Sequence, residues 1–503
     1  MPFLPNEECP DAQLYSAAFE GPLTICARVY ISVEIDPRGY RPDFDGRCFS
    51  ICTRSSPSDC GPLPRCVMIP TASPAPTPVE TPPLQNFDAD SSSPHAEPEF
   101  NAITAARAAE WVSEVVAGAP LERERANVLA SQLHDDVIRR VLAEGAHTLK
   151  RANTGNRVTV SRNLFIPLTN LCRNRCTYCT FAKMPDAEDA HTYSLDEVEE
   201  TIRGGVATGC IEALMCLGDK PEIAYGSYRE TLAGRGLTST TDLLVEACRR
   251  TVEVGMLPHT NAGILSKEEM ARLRPWNASM GLMLETTSRR LREKGMPHFH
   301  APDKEPATRI KMHEEAGDLK IPFTTGMLLG IGENDSERVD TLLTIRDLAL
   351  RYHHIQEAII QPFHAKPDTK MHSVASMADE LLVGWVALAR LIIPSEVHIQ
   401  APPNLGSGML PKLLAAGVDD WGGVSPVTID FINPEAPWPA LRELREATVA
   451  AGFELFERGP VYPDWILDRP DFFDPQMRAL LPKYANDEGY AQRRTNQSDE
   501  EAA

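Results

Sequence analysis

The sequence predicts an α/β fold in which eight strand–helix steps close into a (β/α)8 barrel. Three observations carry this. From Arg157 onward, short apolar runs alternate with amphipathic helical segments. The alternation repeats eight times, which suits a parallel sheet covered by helices. The polar and glycine-bearing segments fall just after the strand ends, where a barrel collects its active site. An open doubly wound sheet is the alternative for the same alternation.

Residues 1–100 look unlike the rest. They hold 17 of the 42 prolines, and Thr71-Ala-Ser-Pro-Ala-Pro-Thr-Pro78 reads as a proline-rich spacer. Such a composition buries too little apolar surface to offset the entropy of ordering, so 1–100 is expected to be a disordered extension. Cys48, Cys52, Cys60 and Cys66 could give four thiols to zinc, but their spacing fits no common finger.

Residues 101–150 form a helical lead-in. One helix is expected over 103–116. A second is expected over 121–144, with Gly145 as its stop. The barrel domain runs over 151–470. Its strands are expected at 164–168, 213–217, 257–262, 278–284, 323–329, 358–362, 397–401 and 420–424. The helices between them include 194–208 and 266–273, each opened by a Ser-x-x-Glu capping box. Residues 471–503 read as a C-terminal tail, polar and loose from Asp487.

The formal charge of -21 argues against nucleic-acid binding, which needs clustered Lys and Arg. No apolar run approaches the roughly 18 residues of a membrane span. The start carries Glu7, Glu8 and Asp11, unlike a secretory or transit peptide, so the expected location is cytoplasmic. In a reducing compartment, closely spaced cysteines suggest metal or redox chemistry more than disulfides.

Six cysteines lie between 172 and 248. Cys172, Cys176 and Cys179 form a C-x3-C-x2-C array directly after the first strand. Three thiolates can hold three corners of a cubic iron–sulfur cluster, which otherwise takes four, leaving one iron open. A zinc knot with His191 as fourth ligand is the competing reading. Tyr178 beside the last thiol offers a flat face. Arg173 and Arg175 could offset the charge of a cluster or be solvated. Cys210, Cys216 and Cys248 read as small buried apolar residues.

Cys172-x3-Cys176-x-Tyr178-Cys179 after a first barrel strand resembles the radical S-adenosylmethionine superfamily. That resemblance implies a TIM-type radical SAM barrel, a [4Fe-4S] cluster and S-adenosyl-L-methionine as cofactors, and an electron donor. In the superfamily the open iron chelates the methionine end of the cofactor. The end of the second strand hydrogen-bonds its ammonium. Gly218, Asp219 and Glu222 of Gly218-Asp-Lys-Pro-Glu222 stand there, departing from the usual Gly-Gly-Glu. Asn261 at strand three and Glu285 at strand four become candidate cofactor contacts, with Tyr178. Gly330 lies in Gly326-Met-Leu-Leu-Gly-Ile-Gly-Glu333, which resembles the superfamily's adenine-binding segment. Gln361, His364, Gln400 and Asn404 are further strand-end candidates. No acid or base for catalysis is identified.

A closer resemblance covers roughly 155–470. Leu217-Gly-Asp-Lys-Pro-Glu222, His259-Thr-Asn-Ala262, Ile399-Gln-Ala-Pro-Pro-Asn-Leu405 and Asp419-Asp-Trp-Gly-Gly-Val-Ser-Pro-Val-Thr428 occur in order. Together they look like the G-type subunits of 7,8-didemethyl-8-hydroxy-5-deazariboflavin synthases. The resemblance implies a lyase of deazaflavin (coenzyme F420) biosynthesis. Such an enzyme takes a small-molecule substrate, the tyrosine–ribityl-diaminouracil adduct made by an H-type subunit. It closes the third ring with loss of ammonia. The H-type subunit and the menaquinone-pathway radical enzymes are the near alternatives. A non-catalytic metal protein or an electron-transfer module is the alternative from another class.

Overall fold

The computed structural model describes residues 101–492, and the expectations for 1–100 and 493–503 lie outside the described residues. Eight parallel strands form the ring: β1 (Arg157–Thr169), β2 (Glu212–Leu217), β3 (Leu257–Asn261), β4 (Ser279–Gly281), β5 (Phe323–Leu329), β6 (Ile355–Pro362), β7 (His398–Gln400) and β8 (Asp420–Val424). Each pairs with the next, and β8 pairs with β1, so the sheet closes into the barrel rather than lying open.

β1 is longer than its apolar core at 164–168 suggests. Its second half pairs with β2, from Asn163 opposite Glu212 to Thr169 opposite Leu217. Its first half pairs with β8 and with a ninth strand, β9 (Glu454–Arg458). Residues 157–161 alternate polar side chains with Val158 and Val160, a strand pattern, and the inward Thr159 and Ser161 meet carboxylates of the floor rather than apolar surface.

Outward side chains of the strands pack on the surrounding helices. Leu164, Ile166 and Leu168 join Val198 and Ile202 of the helix Leu195–Ala207 in one apolar cluster. Ala358, Ile360, Ile399 and Trp421 join the helices Asp335–Tyr352 and Asp379–Ile392 in another. Capping boxes open the helices at Ser194/Glu197, Ser239/Asp242, Ser266/Glu269 and Asn334/Glu337. Each satisfies backbone N–H groups and contributes about 1 kcal/mol.

The lead-in is three helices, not two: α1 (Ala105–Val116), α2 (Arg123–Ala130) and α3 (Asp136–Thr154). Asp135 caps α3 by accepting from the N–H groups of Val137 and Ile138, and this breaks the predicted second helix. Gly145 is not a stop. It lies inside α3, where a Cβ would stand 2.1 Å from Val112 Cγ1, so its bare face seats α1 against α3. The stop is Gly155, at φ 60°. These helices pack beside the barrel on the helix Asp379–Ile392.

Residues 461–484 fold under the barrel. Val461, Tyr462, Trp465, Phe472, Phe473, Met477, Leu481 and Tyr484 enclose Leu257 and Ala278 at the N-terminal ends of β3 and β4. Past Asp487, Tyr490 is still buried, and Ala491 donates to the Glu457 carbonyl. The barrel floor is a closed ion network. Arg458 donates to Asp420 at 2.7 Å and to Glu357 at 2.9 Å, and Tyr462 donates to Glu357 at 2.6 Å. Burial pushes the Glu357 carboxyl up to about 7, against the pull of Arg458.

Candidate functional site

The three-cysteine loop leaves β1 at the C-terminal mouth of the barrel, the end expected to carry a site. Its course is fixed by main-chain bonds to distant segments. Arg173 N–H donates to the Asp219 carbonyl (3.1 Å), Arg175 N–H to that of His300 (2.9 Å), and Thr177 N–H to that of Pro297 (3.1 Å). Lys183 N–H returns to the Asn170 carbonyl at 2.8 Å. The loop is therefore held from β2's end and from the long connection after β4.

The two arginines are not solvated. Arg173 forms a two-pronged pair with buried Asp303. Arg175 donates to the Cys172 carbonyl at 2.7 Å and to the Asn174 carbonyl at 3.0 Å, and also meets the Tyr225 hydroxyl. Both hold the loop's shape.

Cys172 is buried, and Cys176 and Cys179 are partly exposed. Burial pushes the Cys172 thiol up to about 11, partly offset by the Asp219 N–H that donates to its Sγ at 3.2 Å. Burial pushes Cys176 up to about 12, with Lys304 opposing. Thiols in this state give up protons on binding metal. A cavity of about 760 Å³ opens over Cys176 and Cys179, walled by Arg292, Phe299, His300 and Thr369.

Among the described residues, no three His, Cys, Asp or Glu side chains converge on one ion position. His191 pairs with Glu197 at 3.1 Å and is half exposed. With His191 paired to Glu197, a zinc site would lack the expected fourth ligand, whereas three cysteines are the donor set of a cubic cluster with one open iron.

Behind Cys172 lies the end of β2. A Cβ on Gly218 would stand 1.9 Å from the Leu171 carbonyl oxygen and 2.8 Å from Cys172 Cβ, so only glycine lets the two segments meet. Asp219 is 5% exposed. Its Oδ2 accepts from Asn174 and from Ile264 N–H, both at 3.3 Å, while its buried Oδ1 has no partner among the described residues. Burial and then Asp303 push its carboxyl up to about 7. Glu222 is placed differently: its carboxylate accepts from the N–H and hydroxyl of Thr240, at the start of the helix Thr240–Val254.

Tyr178 and Glu285 meet directly. The Tyr178 hydroxyl donates to Glu285 Oε2 at 2.9 Å and lies 2.8 Å from His298 Nε2, and Lys304 pairs with Glu285 Oε1. Glu285 sits at φ 65°, a left-handed position that a non-glycine residue holds only when its surroundings insist. Burial would raise its carboxyl, but Lys304, Arg309 and His298 outweigh it and hold the group at about 2. Burial pulls His298 down to about 4, so its ring is neutral near pH 7. Glu285 is thus a fixed carboxylate bracing Tyr178 beside Cys179.

Asn261 stands at the end of β3, partly exposed. Gly330, at φ 96°, donates its N–H to Glu333 Oε1 at 2.6 Å, and Ile331 N–H donates to Oε2 at 2.9 Å. Arg338 holds that carboxylate in turn at 2.8 Å. Cys210 and Cys248 are buried and bonded to neighbouring oxygens, as small core residues. His298, Asp303 and Lys304 are site residues that strand-end reasoning misses. The available signal is the long connection between β4 and the helix Pro306–Asp318, crowded with polar and aromatic residues.

Comparison with known proteins fits this geometry. The model of the radical SAM superfamily matches residues 166–345. The chain is 47% identical to the 7,8-didemethyl-8-hydroxy-5-deazariboflavin synthase of Methanopyrus kandleri, over 66% of this chain and 99% of that protein. It is 45% identical to the FO synthase of Streptomyces coelicolor over 68% of this chain, but spans only 40% of that protein. Among solved structures, the [FeFe]-hydrogenase maturase HydG superposes with TM-score 0.59 at 15% identity, covering 71% of this chain and 77% of that one. Methylornithine synthase superposes with TM-score 0.55 at 16% identity, covering 69% and 97%. At those identities the two structures bear on the fold.

Proposed function

Since the chain belongs to the 7,8-didemethyl-8-hydroxy-5-deazariboflavin synthase family of radical SAM enzymes, we propose that it performs the ring closure of deazaflavin biosynthesis. Its substrate is the adduct of a tyrosine-derived hydroxybenzyl group with 5-amino-6-(D-ribitylimino)uracil. The reaction abstracts hydrogen from the adduct, joins the third ring and releases ammonia. The observation that carries this reading is the three-cysteine loop seated on Gly218 and Asp219 at the barrel mouth, in a chain matching almost the whole of a synthase bearing that name.

The family implies a [4Fe-4S] cluster and S-adenosyl-L-methionine. Cys172, Cys176 and Cys179 would hold the cluster. When bound, the pair supplies a 5′-deoxyadenosyl radical for hydrogen abstraction. The residues around the loop bind and orient. The buried, unpartnered Oδ1 of Asp219 suits the ammonium of the methionine moiety. Glu222 acts at one remove, fixing the end of β2 through Thr240. Tyr178, braced by Glu285, walls the space beside Cys179. The Glu333-closed turn sets Gly330, and with Asn261 it lines the mouth for the adenosine end.

The substrate is supplied by an H-type partner, since the chain has one such cysteine array and the FO synthases are more than twice the matched length. A low-potential electron donor completes the system. The six free cysteines among the described residues suit a reducing cytoplasm. No helix of the described residues is long and apolar enough to cross a membrane.

The test is complementation in vitro. Tyrosine and ribityl-diaminouracil with this protein alone should give no deazaflavin. Adding an H-type enzyme should restore the fluorescent product. Product from this protein alone, or none from the pair while the H-type enzyme accumulates adduct, overturns the assignment.

A further inference from the structure

Two carboxamides inside the barrel are built into the fold and bonded to nothing in it. Asn163, on β1, is 3% exposed, and Gln400, on β7, is 7% exposed. Neither side chain has a hydrogen-bond partner among the described residues, and Asn163 Oδ1 is fully buried. Both face the lumen. Leu164 and Ile399, their strand neighbours, point outward into the helix-packed clusters.

β8 has been shaped to seat them. Its register against β1 slips between Thr159/Asp420 and Ser161/Gly423, so β8 bulges at Trp421 and Gly422. Gly422 takes φ 73°. A Cβ there would stand 2.0 Å from Gln400 Nε2. A Cβ on Gly423 would stand 1.9 Å from Asn163 Nδ2. Two consecutive glycines thus make a shelf on which two amides lie side by side. Leaving a buried polar group unpaired costs stability, and a bulge and two glycines are spent to keep these two there.

Their surroundings define what they would meet. Below, the floor groups already bond one another: Arg458 is held by Asp420 and Glu357, and Ser161 donates to Glu212. Leu214 and Cys216 on β2 and Ile359 and Gln361 on β6 share the lumen-facing parity of their strands and are partly exposed. The shelf therefore offers neutral amide donors and acceptors. Neither amide carries a charge with which to pair a carboxylate or phosphate. An uncharged ring carrying amide-like N–H and C=O edges, or a polyol, would find complementary partners.

We propose that Asn163 and Gln400 are specificity-determining residues that bind the pyrimidinedione ring and its hydroxylated chain, at the depth of the glycine shelf and below the cysteine loop. This rests on the ring-closure reading and adds to it the residues that read the substrate. It separates two recognition tasks within one barrel: Asp219 and its neighbours for the charged methionine end, the amide shelf for the neutral substrate.

The experiment uses the reconstituted holoenzyme under anaerobic conditions, with the synthetic hydroxybenzyl–ribityliminouracil adduct as the calorimetric probe. Asn163→Leu and Gln400→Leu remove the amides with little change of volume, and Gln400→Glu keeps the shape and adds charge. Each should weaken probe binding about tenfold or more and leave S-adenosyl-L-methionine affinity unchanged, and the two leucine variants should hold or raise the melting temperature, because an amide without a partner is gone. Equal probe affinity in the leucine variants overturns the assignment. So does a marked fall in melting temperature, which would make the amides supports of the fold. Failure of the wild-type protein to bind the probe counts against the ring-closure reading itself and takes the assignment with it.

Discussion

Replacing Gly218 by alanine tests the seat of the cysteine loop. The new methyl would lie 1.9 Å from the Leu171 carbonyl oxygen and 2.6 Å from the Leu171 carbonyl carbon. These are main-chain atoms, so no side-chain rotation relieves them. To regain ordinary contact, one segment must retreat by roughly 1.5 Å. Over-packing of this kind costs about 1–3 kcal/mol, a small part of the stability of a barrel with this much core. The fold should survive, with a melting temperature lower by a few degrees. The loop should not keep its geometry. Metal ligands tolerate errors of only about 0.2 Å, several times less than the imposed shift. Gly218→Ala should therefore show a native far-ultraviolet spectrum but less than half the iron and sulfide of the wild type after anaerobic reconstitution. Full iron content together with wild-type turnover would refute the claim that the end of β2 holds the cluster loop in place.

Three further outcomes follow from the same geometry. Cys176→Ala should lose iron retention and activity together, checked by iron content and 5′-deoxyadenosine release. Asp219→Asn should weaken S-adenosyl-L-methionine binding by tenfold or more, whereas Glu222→Gln should leave that affinity nearly unchanged and lower the melting temperature slightly; equilibrium binding and thermal melts separate them. Lys304→Met should destabilise the protein by on the order of 2 kcal/mol at pH 7. The Glu285 carboxyl is depressed to about 2, so the stability it contributes is fully present above the unfolded value near 4.5 and is lost as pH falls through 2. The gap between variant and wild type in denaturant melts should accordingly narrow as pH drops below about 4.

The parts of the molecule that local pattern controls are visible in the sequence. The β5 and β8 spans, and the Ser194 and Ser266 boxes, are found where the residues put them. What period cannot show is the partner a polar side chain takes across the chain. Tyr178 and His298 are 120 residues apart, and Arg173 and Asp303 are 130 apart. For the same reason the sequence does not show that the Glu222 carboxylate accepts from Thr240, or that Glu285 braces Tyr178. Gly145 shows the converse failure: a glycine inside a helix signals a stop only when no neighbouring helix needs its bare face. The amide shelf is hidden more deeply, because a bulge in β8 turns Gly423 inward against the simple alternation of a strand.

The most direct test of the whole account is single-turnover chemistry on the synthetic adduct. Reconstituted enzyme, a chemical reductant, S-adenosyl-L-methionine and the hydroxybenzyl–ribityliminouracil adduct should give fluorescent deazaflavin, ammonia and 5′-deoxyadenosine in step with one another. 5′-Deoxyadenosine formed without deazaflavin would leave a radical enzyme acting on another substrate, and absence of both would contradict the radical reading of the cysteine loop.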